Sequence, residues 1–193
     1  MVRTAQFSAD AFIGAAIALV AEDGPTAASI PAIARRVGAP TGSLYHRFPS
    51  KAAVLAAAWA EVHGDFTRTM VPPLVEGRGD LAAFTLVQWA RAKPRQARFL
   101  LLNDFALLVD GGPVPDEWRA AITRQEEALD HAFRALLGGD ERVATAARLR
   151  FLVFDGPIAA MKPHLLAGET VPDFVDDLVA GLHHARPQLG QVA

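Results

Sequence analysis

The chain has no cysteine, a single tyrosine, three methionines and three tryptophans among its 193 residues. Without cysteine there can be no disulfide, iron–sulfur cluster, thiolate zinc site or cysteine nucleophile, a composition that suits a reducing cytoplasm. The opening residues MVRTAQFSAD lack the apolar core of a secretory leader, and no uncharged apolar run reaches the roughly 20 residues that span a bilayer. A soluble cytoplasmic protein with no membrane partner is expected. Strict apolar–polar alternation, the mark of a half-buried strand, is missing along the chain. So are a nucleophile elbow, a phosphate-binding glycine loop and a paired-histidine zinc motif. What is present is 51% hydrophobic and 21% charged, enough apolar matter for a substantial core.

The net charge of −2 hides an uneven distribution. Residues 1–51 hold five basic side chains (Arg3, Arg35, Arg36, Arg47, Lys51) against three acids (Asp10, Glu22, Asp23), whereas the remainder carries an acidic excess. No acid occurs between Asp23 and Glu61. A polyanion could therefore approach this stretch without meeting a like charge.

The punctuation is helical throughout. Ser8 can cap a first helix that Gly24 ends, with Phe7 and Phe12 at the positions of a hydrophobic staple. Ser29 can cap a short helix through Val37, with Pro31 in its first turn and Gly38 after its end. Residues 41–48 make another short helix, stopped by Pro49, and Ser50 can cap a longer one to about Met70. Pro72, Pro73, Gly77 and Gly79 form the sharpest break in the chain. Helices are expected beyond it near 80–92, 94–109, 115–137, 140–161 and 172–185. The fold class is all-α: a three-helix domain over residues 1–52 whose last two helices form a helix-turn-helix, then a longer helical domain over 53–193.

Residues 29–55, SIPAIARRVGAPTGSLYHRFPSKAAVL, carry the functional signal. Ile30, Ile33, Ala34 and Val37 share one helical face, and Leu44 and Phe48 form the matching pair on the next helix. Packing the two stripes together leaves Thr41, Ser43, His46 and Arg47 outward, as a helix entering a major groove requires. Thr41 and Ser43 suit base edges through their hydroxyls, and Gly42 admits close backbone approach. Tyr45, His46 and Lys51 suit phosphates, and Lys51 opens a helix whose free N–H groups add to its pull on an anion. Arg36, in the acid-free stretch, and Arg47, as a backbone contact, complete the DNA-binding set. Phe48 and Leu44 read as core. Tyr45 reads equally well as core aromatic or as phosphate ligand.

The run GAPTGSLYHRFPSK resembles the signature of the TetR family of bacterial transcriptional regulators, in which a Gly-ended helix leads to a recognition helix finishing Leu-Tyr-x-x-Phe, then x-Ser-Lys. Gly38, Gly42, Leu44, Tyr45, His46, Phe48, Ser50 and Lys51 occupy matching positions. The resemblance is sharp over about residues 8–60 and only architectural beyond. It implies DNA-binding roles for Ser29, Thr41, Ser43, Tyr45, His46 and Lys51, a second domain that binds a ligand, and a homodimer. Two departures stand out. Pro40 replaces a serine able to cap the recognition helix, and Ala52-Ala53 replaces the acid that commonly follows the lysine.

The pocket of an apolar small molecule would be lined by aromatics and a few polar groups. Candidates are His63, Phe66, Met70, Trp89, Phe99, Leu102, Asn103, Phe133, Phe151, Phe154 and Asp155, each also readable as ordinary core. Asn103 and Asp155 are polar within apolar runs, so burying either needs a partner, ligand or neighbouring helix. Gly156-Pro157 should interrupt its helix and free backbone groups that also need partners. Leu149, Leu152, Val153, Phe174, Leu178, Gly181 and Leu182 would populate a four-helix dimer interface. His183 and His184 are adjacent and point about a quarter-turn or more apart, so no metal is expected, and no other cofactor is. The expected partners are double-stranded DNA, a second copy of the chain and an unidentified small molecule. Two alternatives stand beside this regulator: a small helical enzyme using Asp155 or His131, and a dimeric regulator with no ligand.

Overall fold

The computed structural model of the protein describes residues 7–140 and 142–184. The outer ends of both expected domains, residues 1–6 and 185–193, lie outside it, as does Glu141. Among the described residues there are eleven α-helices and no strand.

The first helices begin and end where side-chain chemistry dictates. Helix α1 (Ala9–Asp23) starts at Ser8, whose Oγ accepts from the Ala11 N–H at 3.1 Å. It ends at Gly24, which has φ +84° and donates to the Val20 carbonyl. Helix α2 (Ile30–Val37) starts at Ser29, whose Oγ accepts from the Ala32 N–H. At its end Gly38 takes the left-handed conformation, φ +73°, donating to Arg35 O while Ala39 donates to Ala34 O. These paired bonds close the last carbonyls and turn the chain sharply. Helix α3 (Thr41–Tyr45) follows, shorter than the expected 41–48 because His46 and Arg47 form a turn closed onto Gly42 and Leu44. Pro40 supplies only its carbonyl, which accepts from Ser43, so a side-chain cap is absent there.

Helix α4 (Lys51–Val75) opens with Ser50 accepting from the Ala53 N–H at 3.1 Å. It corrects the expected break: Pro72 and Pro73 lie inside it. Two prolines remove only two intrahelical donors in the final turns, and their carbonyls still receive Glu76 and Arg78 N–H groups. Helix α5 (Gly79–Ala92) matches expectation. The expected 94–109 helix is instead two, α6 (Pro94–Leu101) and α7 (Phe105–Val109). Asn103 donates its amide to Arg98 O and Phe99 O, stopping α6, and Asp104 accepts from the Leu107 N–H to start α7. Helix α8 spans Asp116–Leu137.

The expected 140–161 helix appears as α9 (Val143–Arg150), a wider π-helical turn Phe151–Asp155, and α10 (Gly156–Ala167), which extends past the expected end to Gly168. Pro157 lacks an N–H, and the wide turn re-pairs the backbone by sending the Gly156 N–H to Phe151 O. His183 Nε2 lies 3.2 Å from Leu152 O, the kind of partner the freed backbone required. Helix α11 (Phe174–His184) ends the described chain.

The chain forms two compact units. One comprises Met1–Phe66 with Lys93–Glu127, and the other Thr67–Ala92 with Ala128–Ala193. In the first, α1 packs on α2 and α6, and α2 on α3, around fully buried Phe12, Ile33, Leu44, Leu55 and Phe99. In the second, α5 packs on the π turn, α10 and α11, around Leu86, Val153, Met161, Leu165, Val175 and Val179. Arg91 pins the start of α11 there: it donates to Val171 O and Pro172 O and pairs with Asp176 at 2.7 Å.

Candidate nucleic-acid interface

Helices α2 and α3 pack through the stripes their spacing dictates. Ile30, Ile33 and Ala34 are buried, Val37 is half-buried, and Leu44 and Phe48 are 0% and 3% exposed. Burying the core face turns the other face out. Thr41, Gly42, Tyr45, His46 and Arg47 are exposed, Ser43 is half-buried, and Tyr45 keeps 54% of its surface in solvent. The ring of Tyr45 is therefore not core, and one side of a two-helix unit offers two hydroxyls, a phenol, an imidazole and a guanidinium together.

Lys51 is half-buried in the first turn of α4, whose opening amides have no carbonyl a turn earlier to bind. Ala52, where the resemblance leads one to expect an acid, is buried against Gly112: a Cβ on Gly112 would stand 2.7 Å from that of Ala52. A longer side chain at 52 has no room.

Arg36 is placed differently from the rest of the set. Its two terminal nitrogens hold both oxygens of Glu22, at 2.7 and 2.8 Å, locking α2 to α1. Hydrogen bonds from Arg36 keep the Glu22 carboxyl below the ordinary range, and Glu22 in turn raises Arg36. Arg95 of α6 approaches the same carboxylate at 3.6 Å. The charge of Arg36 is balanced within the domain. Ser29 likewise spends its hydroxyl on the Ala32 N–H.

The expected ligand-lining residues are divided between the two units. In the first, Trp59 stacks on His63 at 6.4 Å between ring centres and meets Phe99 at 6.0 Å and Phe105 at 5.5 Å, while His63 meets Phe66 at 6.4 Å. Gln125 donates its amide nitrogen to Ala60 O, so its oxygen faces His63 Nδ1, at 3.1 Å. Nδ1 is therefore the donor in that contact. Leu102 is half-buried, and Asn103 has its partner in the carbonyls ending α6. Sequence reasoning missed Trp59, Phe105 and Gln125, although Trp59 sits one helical turn before His63 and was open to the same reading.

In the second unit Met70 and Trp89 are buried and Phe133 meets Phe154 at 6.1 Å. Phe151 is exposed, and Asp155 is exposed with its carboxylate 3.9 Å from Arg150 Nε. His131, the other residue of the enzymatic alternative, is exposed on α8.

Of the expected interface residues, Phe174, Leu178 and Gly181 are exposed and Leu149, Leu152 and Leu182 half-buried. Val153 is fully buried, packed beside Gly79 in its own unit, and presents nothing outward. Val143 and Leu166 are exposed apolar residues the sequence reading passed over. A shallow cavity of about 520 Å³ lies among Asp140, Arg142, Ala144, Thr145, Arg148, Leu149 and Leu152, lined by none of the ligand candidates. Hydrogen bonds from Arg142 hold the Asp140 carboxyl well below the usual carboxylate range. His183 and His184 turn to different carbonyls, Leu152 O and Ala180 O, and the described residues hold no cluster of three metal-ligating side chains. No described helix is long and apolar enough to cross a membrane.

Residues 12–58 match the amino-terminal domain of bacterial regulatory proteins of the tetR family. No curated protein sequence matches the chain at a significant level. Solved structures share the fold across nearly the whole length. A Shewanella sp. PV-4 protein assigned to the tetR family of transcription regulators is 21% identical, with TM-score 0.65 over 93% of this chain and 96% of its own. The fatty acid degradation regulator FadR of Bacillus halodurans is 18% identical, with TM-score 0.63 over 93% of this chain and 100% of its own. FadR of Bacillus subtilis, solved with stearoyl-CoA, is 16% identical, with TM-score 0.59 over 91% and 97%.

Proposed function

We infer, with support from the match of residues 12–58 to the tetR family, that the chain is a homodimeric cytoplasmic repressor holding a palindromic operator and releasing it when a small, largely apolar ligand binds. One observation carries this reading. With Leu44 and Phe48 buried, Thr41, Gly42, Tyr45, His46 and Arg47 are turned to solvent, with Ser43 partly so, just ahead of Lys51. Thr41, Gly42 and Ser43 read base edges, while Tyr45, His46, Arg47 and Lys51 bind phosphates. Arg36 and Ser29 act from behind, fixing α2 so that α3 is presented.

Residues 1–52 do the DNA work and residues 53–193 the sensing and pairing. Phe174, Leu178 and Gly181, with Leu149, Leu152 and Leu182 beside them, form the surface on which a second copy docks. Two-fold symmetry then sets two recognition helices about one DNA turn apart. Support for an apolar ligand comes from the Trp59–His63–Phe66–Phe99–Phe105 cluster and from the stearoyl-CoA bound by FadR of B. subtilis. The ligand shifts the population of α4 orientations, and by linkage DNA weakens ligand binding by the same factor.

Selection of binding sites from a random duplex pool tests the reading. A two-fold-symmetric sequence should emerge, and a long-chain acyl-CoA added to the selected complex should release it. A pool that returns no enriched sequence would refute operator binding, and release by none of a panel of acyl-CoAs would refute that ligand class.

A further inference from the structure

The loop joining α7 to α8 touches the helix that carries Lys51. It opens with Asp110 at φ +50°, the one described non-glycine residue with positive φ, followed by Gly111 at φ +65°. Gly111 takes this left-handed conformation freely, whereas at Asp110 it carries a steric cost, although aspartate tolerates it better than most side chains. Gly112 donates to Val109 O at 2.9 Å and lies so close to α4 that an added Cβ would be 2.7 Å from the Ala52 Cβ and 3.0 Å from Val109 O. Neither obstacle is the end of a flexible side chain. Ala52 has only a methyl fixed to the helix backbone, so any growth on either side must move the loop or the first turn of α4.

The same segment meets α4 again further along. Trp59, seven residues after Ala52 and hence on the same face, meets Phe99 of α6 and Phe105 of α7. Helix α6 packs on α1, so the segment from 94 to 112 is tied at one end to α1 and at the other to the opening turn of α4.

We propose that the 110–112 loop positions the phosphate-binding turn of α4, and that the Gly112–Ala52 contact sets where Lys51 stands. Gly112 touches no DNA in this account; it is a positioning residue. The proposal rests on the DNA-binding reading above, and its test separates the two. Wild-type protein, Gly112→Ala and Gly112→Ala/Ala52→Gly are titrated with a random-sequence DNA duplex over a range of salt, with helical content and thermal midpoint followed in parallel. Gly112→Ala should bind several-fold more weakly, with a salt slope shallower by about one, the signature of one lost phosphate contact. Helical content should be kept. Removing the opposing methyl in the double variant relieves the shorter of the two contacts and leaves the one with Val109 O, so most of the affinity and of the slope should return. If Gly112→Ala fails to fold, Ala52→Val enlarges the contact from the other side and should give the same signature. An unchanged slope in a folded single variant, or a double variant no better than the single, overturns the proposal. Failure of the wild-type protein to bind duplex overturns the DNA reading and this proposal with it.

Discussion

The two ends of the described chain solve the same problem, placing short helices, in different ways. From α1 to the start of α4, each boundary is set by a residue next to it: Ser8, Gly24, Ser29, Gly38 and Ser50 cap or close their helices through bonds spanning three to five residues. From α9 to α11, Gly168 closes α10 locally, but the break at Pro157 is settled by distant partners. The π turn before Pro157 finds a partner in His183, and Gly156 is small because Leu182 of α11 crosses over it. Local chemistry fixes the first region, and tertiary chemistry fixes the central break of the second. Helices that must present a surface to an outside partner gain from boundaries that do not depend on distant packing.

Substitutions can break or sharpen that contrast, the largest effect first. Leu44→Ala empties a fully buried site between α2 and α3 and should cost about 2–5 kcal/mol in denaturant unfolding. Phe174→Ala, at a residue 52% exposed that meets His164 edge-on at 5.7 Å, should cost the isolated subunit only about 0.5–1.5 kcal/mol, and should lower the thermal midpoint most at low protein concentration. Gly156→Ala places a methyl 2.9 Å from Leu182 Cδ1 and 3.0 Å from Phe151 O. A loss of about 1–3 kcal/mol is expected, because one of the obstacles is backbone. If this variant proves neutral, the second region is more plastic than its packing implies.

Smaller again is Asn103→Ala, which frees Arg98 O and Phe99 O at the end of α6 and should cost about 0.5–1.5 kcal/mol. Glu22→Gln is the smallest. The folded-state carboxyl of Glu22 lies below its ordinary value of 4.5 because Arg36 hydrogen-bonds its ionised form. That pair therefore adds stability above the ordinary value, and the gain is lost as pH falls through the depressed one. The pair is about one-third exposed, which limits it to under about 1 kcal/mol. Stability curves of wild type and Glu22→Gln should differ at neutral pH and converge in acid. Curves that stay parallel into acid would remove the ion pair from the account.

The contrast also explains what could be read from the chain. The caps, the αL glycine, the inward Leu44 and Phe48 and the outward 41–47 surface follow from neighbours within a turn or two. Pro72 and Pro73 misled because a proline near a helix end removes few donors, and the carbonyls beyond them were still taken up. Asn103 attracted attention as a polar residue in an apolar run, yet its amide ends a helix. Val153 and Phe174 have the same apolar character in sequence and opposite exposures in the fold. Spacing identifies an apolar face, but only the packing of α5 and α11 decides which side of it stays in water. Arg36 was legible as a cation, not as the partner of an acid fourteen residues away.

The most direct measurement places a photo-crosslinking residue at His46 in one preparation and at Phe174 in another, and irradiates each with the selected duplex. Crosslinks from position 46 to DNA and from position 174 to a second protein chain are the predicted result. Crosslinks to DNA from 174 with none from 46 would contradict it.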